Sequence, residues 1–147
     1  MIARPYEPKD FETIKAWGKA WGSDYDEAQF PKHGFIVDDL CAYFIYTTDS
    51  SICFLENLVR NPEVGKGINE RLGTLIDRGK ALDLVIKACY NKARELGFTV
   101  AYATTNVISA AKRAKEHGAQ ASPLCVLLTK DLQTPNLNDG EDKHGHK

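Results

Sequence analysis

Read from the amino end, the hydrophobic positions change period several times, and each change marks an element. Ile2 to Tyr6 can form a short opening strand, after which Pro8 and Asp10 supply a helix start. Phe11, Ile14, Trp17 and Trp21 recur at spacings of three and four, which predicts one apolar stripe along a helix from about residue 9 to residue 21, packed on something flat. The polar stretch from Gly22 to Gly34, with Asp24, Asp26 and Glu27, reads as a surface loop or a short second helix. Gly34 to Asp38 and Leu40 to Thr48 read as a hairpin turning near Asp38 and Asp39. Asp49-Ser50-Ser51 is a second turn, leading into a strand from Ile52 to Arg60. Three consecutive strands predict an antiparallel meander.

Asn61-Pro62 closes that strand, and from Glu63 to Gly79 periodicity fades among Gly65, Gly67, Gly73 and Gly79, so a loop or broken helix is expected. Leu82, Val85, Ile86, Cys89, Ala93 and Leu96 then mark one face of a helix with Gly97 as its C-cap. Phe98 to Thr104 reads as a strand, and a single helical crossover makes it parallel to Ile52 to Arg60, with a ligand crevice where the two part. Ser109 to His117, capped by Gly118, predicts a last helix, and Leu124 to Thr129 a buried strand. The polar residues 133–147 bury too little apolar area to order themselves and are expected to form a tail. The expected fold is α+β, a mixed sheet flanked by helices, in one domain over residues 1–132.

Composition fits that picture: 147 residues, 43% apolar and 27% charged, suit one soluble globular domain. No apolar run reaches the roughly 18 residues of a membrane span, and MIARPYEPKD lacks a signal peptide's apolar core, so a cytoplasmic protein is expected. Cys41, Cys53, Cys89 and Cys125 are widely spaced among apolar neighbours and read as buried free thiols. His33, His117, His144 and His146 are not spaced with acids or thiols as a metal set, so no metal is expected. The net charge of −1 argues against a general polyanion binder and against nucleic acid as a partner. Charge is uneven, however: residues 1–59 carry five basic and ten acidic side chains, and residues 60–117 eleven basic and six acidic. The middle of the chain could therefore receive a compact anion, or its Lys and Arg side chains merely solvate two helices.

This order of elements resembles the GNAT (GCN5-related N-acetyltransferase) superfamily over roughly residues 2–130. Glu56-Asn57-Leu58-Val59-Arg60-Asn61-Pro62 is similar to that family's fourth strand, and Arg78-Gly79-Lys80-Ala81-Leu82-Asp83 to its pyrophosphate loop at the start of the third helix. Thr105-Asn106 and the small-residue helix to His117-Gly118-Ala119 are similar to its second cofactor segment. The resemblance implies an acyltransferase moving an acetyl or other acyl group from acetyl-CoA, or another acyl-CoA, to an amine on a small molecule or protein. It implies that the backbone of Leu58, Val59 and Arg60 pairs with the pantetheine arm, and that Arg78, Gly79, Lys80, Ala81, Leu82, Asp83 and Asn106 meet the cofactor. It also allows a homodimer.

The physics of the loop is that of a helix start, whose free N–H groups and dipole favour pyrophosphate when glycines let it approach. Ala81 and Asp83 stand where small residues belong in that motif, and counting back from Gly97 moves the match by one residue. Gly65-Lys66-Gly67-Ile68-Asn69 is a rival location, but a helix from there would run through Gly73 and Gly79, each costing about 1 kcal/mol. The Arg78 location is preferred, with residues 64–77 as an insertion.

Amine acylation needs a base, and Glu56, near the carboxyl end of the strand facing the crevice, is the candidate, acting directly or through water. A solvated strand carboxylate is the plain alternative. The family's usual thiolate-protonating tyrosine would fall at Ala114; Tyr90 and Tyr102 are the nearest aromatics in sequence and read as core or helix-surface residues. Lys112 and Arg113 meet a nucleotide phosphate or water. The competing reading is a GNAT-fold protein, catalytically weak or inactive, that serves as a protein-binding or regulatory module.

Overall fold

The computed structural model describes residues 1–64, 75–105 and 108–120. Five strands form one sheet in the order β1 (Ala3–Pro5), β2 (His33–Val37), β3 (Cys41–Tyr46), β4 (Ile52–Arg60) and β5 (Val100–Ala103). The first four are antiparallel neighbours, and β5 lies parallel to β4. The hairpin between β2 and β3 turns at Asp38, whose φ of 44° is one that aspartate tolerates better than most residues. The helices are α1 (Phe11–Ala20), α2 (Leu75–Glu95) and α3 (Ile108–Glu116), and the meander and parallel crossover match the expectations from sequence. The expected strand at Leu124 to Thr129, the polar tail and Cys125 lie outside the described residues. None of the described helices is long and apolar enough to cross a membrane.

Because strand side chains alternate between faces, the sheet carries a core on each side. On one face α1 lays Ile14 and Trp17 over Ile36, Ala42, Phe44 and Val59. On the other, α2 buries Ala81, Val85, Ile86, Cys89 and Ala93 against Val37, Cys41, Tyr43, Ile45, Cys53 and Leu55. Cys41, Cys53 and Cys89 are buried free thiols, as expected, and burial pushes Cys41 up to about 12, so they act as small apolar side chains.

Two expectations are corrected by packing. Trp21 does not continue the apolar stripe: Trp17 is buried, but Trp21 follows the last residue of α1 and is half exposed. Its indole N–H donates to the Arg60 carbonyl at 2.8 Å, and the Arg60 guanidinium lies over its ring at 4.6 Å, tying the end of α1 to the end of β4. The second correction concerns α2, which extends back at least to Leu75 and passes through Gly79, where a break was expected. A Cβ there would lie 2.6 Å from Nη2 of Arg113, so the bare backbone at Gly79 leaves room for that guanidinium to lie against α2.

Candidate functional site

The parallel ladder between β4 and β5 covers four pairs, from Ile52 opposite Val100 to Leu55 opposite Ala103. Beyond it β4 continues through Glu56 to Arg60, while the chain after β5 turns toward α3. Among the described residues, the far half of β4 therefore has no ladder partner on that edge, and the two strands fork at Glu56. The open edge presents backbone N–H and C=O groups that an extended ligand can pair with.

Glu56 is half buried at the fork. Its carboxylate accepts from the Thr104 hydroxyl at 3.0 and 3.2 Å and from the Thr104 backbone N–H at 3.3 Å, just where β5 ends. Desolvation raises its pKa from the ordinary carboxylate range, and the Thr104 hydrogen bonds pull it partly back. A carboxylate in that balance holds or releases a proton closer to neutrality than a solvated one.

Asn57, the next residue, has φ of 56°. The β3 register steps from Ala42 to Phe44 while β4 steps from Val59 to Glu56, so β4 carries one extra residue, a bulge at the fork. Asparagine suits that conformation, and its Nδ2 donates to the Tyr46 hydroxyl at 2.5 Å. Asn57→Ala is expected to cost about 1–2 kcal/mol of stability from the left-handed conformation alone. Asn57→Gly should cost less, because glycine enters that conformation freely. Urea unfolding of the two variants checks the order.

Below the fork a cavity of about 820 Å³ lies between α2, α3 and the two strands, lined in part by Tyr43, Leu58, Ile86, Tyr90, Ala114 and His117, with Glu56 at its edge. That volume is in the range of small-molecule and cofactor sites. Tyr43 donates to the Leu55 carbonyl at 3.2 Å, and burial pushes its hydroxyl far up. Tyr90 is half buried and packs against the α2 core, while Tyr102 is half exposed beside Phe54, at 6.1 Å between rings.

The expected cofactor residues divide into three groups. Leu58 packs against the α2 core, Val59 is buried under α1 and Arg60 stacks on Trp21, so the side chains of all three are engaged and the backbone edge is what remains for a ligand. Arg78, Gly79, Lys80, Ala81, Leu82 and Asp83 do not form a loop at a helix start: they lie within α2. A helix that begins no later than Leu75 has free amides no further along than Arg78, so those of Gly79 to Asp83 are committed within the helix. Ala81 is buried in the core, Leu82 packs against it and Lys80 is exposed. Asp83 faces α3: it accepts from Arg113 Nη1 at 2.8 Å and bonds His117 Nε2 at 3.0 Å. Burial alone would raise its pKa, but the His117 and Arg113 hydrogen bonds outweigh that and hold it below the usual range. Arg113 is thus spent on Asp83 instead of a phosphate. Asn106, the rival Gly65 to Asn69 segment and most of the expected insertion lie outside the described residues.

Sequence reasoning missed Thr104, the left-handed Asn57 and the Asp83–Arg113–His117 cluster. An asparagine inside a strand was a visible signal, since that residue is depleted there. The cluster had none, because its members are 30 and 34 residues apart.

No protein-family model and no curated protein matches the chain. Solved structures do. The Rv2747 protein of Mycobacterium tuberculosis, in complex with CoA and NLQ, superposes with a TM-score of 0.57 at 12% identity, covering 84% of this chain and 75% of its own. An Agrobacterium tumefaciens putative acetyltransferase gives 0.51 at 14% identity, over 83% of this chain and 96% of its own. A Trypanosoma brucei acetyltransferase gives 0.51 at 10% identity, over 82% and 92%. At these identities the likeness is one of fold, and with the forked mixed sheet it makes this chain's fold that of the GNAT-like acetyltransferases.

Proposed function

We propose that the chain is an acyl-CoA-dependent N-acyltransferase, with acetyl-CoA as donor and an amine as acceptor. The observation that carries this reading is the fork: a half-buried carboxylate, Glu56, stands where β4 loses its β5 partner, at the edge of a cavity of cofactor size. The backbone of Leu58 to Arg60 receives the pantetheine arm as an added half-strand. Lys80, exposed on α2, and Asn106 meet the cofactor's polar end. Glu56 removes the proton that the attacking nitrogen must lose. The protein works in the cytoplasm, and its acceptor is a small molecule or a protein side chain.

One observation favours the regulatory reading instead. The segment similar to a pyrophosphate loop is helical, with Ala81 buried and Asp83 ion-paired to Arg113, so it supplies no amide cradle. Calorimetric titration of acetyl-CoA separates the two. The enzyme reading predicts saturable binding, relieved by free CoA, and thiol release with at least one member of a panel of amines. Absence of heat at millimolar acetyl-CoA ends it, and binding without turnover on that panel moves the weight to the regulatory module.

A further inference from the structure

Acyl transfer from a thioester makes two demands on protons. As the nitrogen lone pair attacks the carbonyl carbon, the C–N bond forms and the C–S bond breaks, leaving its electron pair on sulfur. The nitrogen's proton passes to Glu56, and the sulfur needs a proton of its own to leave as a thiol. Given the acyltransferase reading, on which this inference rests, the cavity must be searched for a group that supplies it.

Its lining offers few. The Tyr43 hydroxyl is already donated to the Leu55 carbonyl, and Arg94 does not release a proton. Tyr102 is half exposed against Phe54, and Lys115 is exposed. Tyr90 and His117 remain. Imidazole is the side-chain type that ordinarily exchanges its proton near neutral pH.

His117 is also the one that is positioned. An ionised carboxylate only accepts, so Asp83 fixes the proton of His117 on Nε2, at 3.0 Å, and Nδ1 has no partner among the described residues. The second Asp83 oxygen is held by Arg113 at 2.8 Å, and Gly79 lets that guanidinium pass. Ala114 lies one turn before His117 on the same side of the helix, and its methyl leaves space. His117 and Glu56 both line the cavity between α2, α3 and the two strands, so the imidazole and the carboxylate share one space.

We propose that His117, as an imidazolium whose Nε2–H is held by Asp83, donates its Nδ1 proton to the departing coenzyme A thiolate, with Asp83 and Arg113 as positioning residues. The imidazole regains its proton from solvent and Glu56 loses the one it took, which closes the cycle.

The test needs no acceptor. Bound CoA is titrated with base and the thiolate read by its ultraviolet absorbance, in the wild type, His117→Gln and Tyr90→Phe. The charged and titratable groups around the imidazole are Asp83 on α2, Arg113 and Lys115 on α3, and Glu56, Tyr90 and Arg94 across the cavity. Thiolate and imidazolium stabilise each other as a pair, so the bound thiol in the wild type should titrate at least about one pH unit below free CoA. His117→Gln should remove that difference, Tyr90→Phe should keep it, and affinity for desulfo-CoA should be the same in all three. Should His117→Gln fail to fold, Asp83→Asn keeps the ring and frees it, and the midpoint should rise partway. Equal midpoints in wild type and His117→Gln, or a shift on Tyr90→Phe instead, overturn the proposal while leaving cofactor binding intact. Absence of CoA binding by the wild type overturns the acyltransferase reading itself.

Discussion

Glu56→Gln is expected to lower turnover of acetyl-CoA with an amine by about 100-fold or more, the usual worth of a positioned general base. Cofactor affinity should stay within about twofold, because the amide keeps the shape and can still accept from Thr104. The pH profile carries the diagnostic. Glu56 acts only when ionised, and desolvation has raised its pKa, so wild-type kcat should fall as pH drops through that raised value, above where a solvated carboxylate would respond. In the glutamine variant this acidic limb should disappear. Stopped assays of thiol release between pH 5 and pH 9 measure both. A variant that keeps its rate and its acidic limb would remove Glu56 from the chemistry.

Phe44→Ala is expected to cost about 3–5 kcal/mol, the range for emptying a buried aromatic site. Phe44 is fully buried beneath α1 and meets Phe30 at 4.7 Å and Tyr6 at 5.3 Å, both edge to face. It also lies against Gly34, where an added Cβ would come within 2.3 Å of its ring. The ring therefore joins the opening segment, the loop before β2 and the strand that pairs with Glu56. For a chain of this size the melting temperature should drop by roughly 10 °C. Phe54→Ala is the comparison: that ring is 42% exposed, and its loss should cost much less. Thermal unfolding by circular dichroism distinguishes them.

The sheet was legible because its strands obey short-range rules. Alternation and turn residues delimit β2, β3 and β4, and a single crossover makes β5 parallel, so the fork and its carboxylate could be placed from spacing. The parts that were not legible depend on neighbours distant in sequence. Gly79 reads as a helix breaker until Arg113 is known to lie against it, and Trp21 reads as core until Arg60 is seen to claim its face. Asp83, out of place in a phosphate loop, is explained by His117 and Arg113 on another helix. Local pattern decides what an element is, and packing decides where it starts and which side chains are left for chemistry.

The forked pair of strands as the seat of the cofactor is the claim most worth a direct look, and a crystal structure of the protein soaked with CoA provides it. The account predicts the pantetheine arm lying along β4, its amides bonded to the backbone of Leu58 to Arg60, with the sulfur close to both Glu56 and His117. Density for CoA elsewhere on the molecule, with the β4 edge unoccupied, would contradict it.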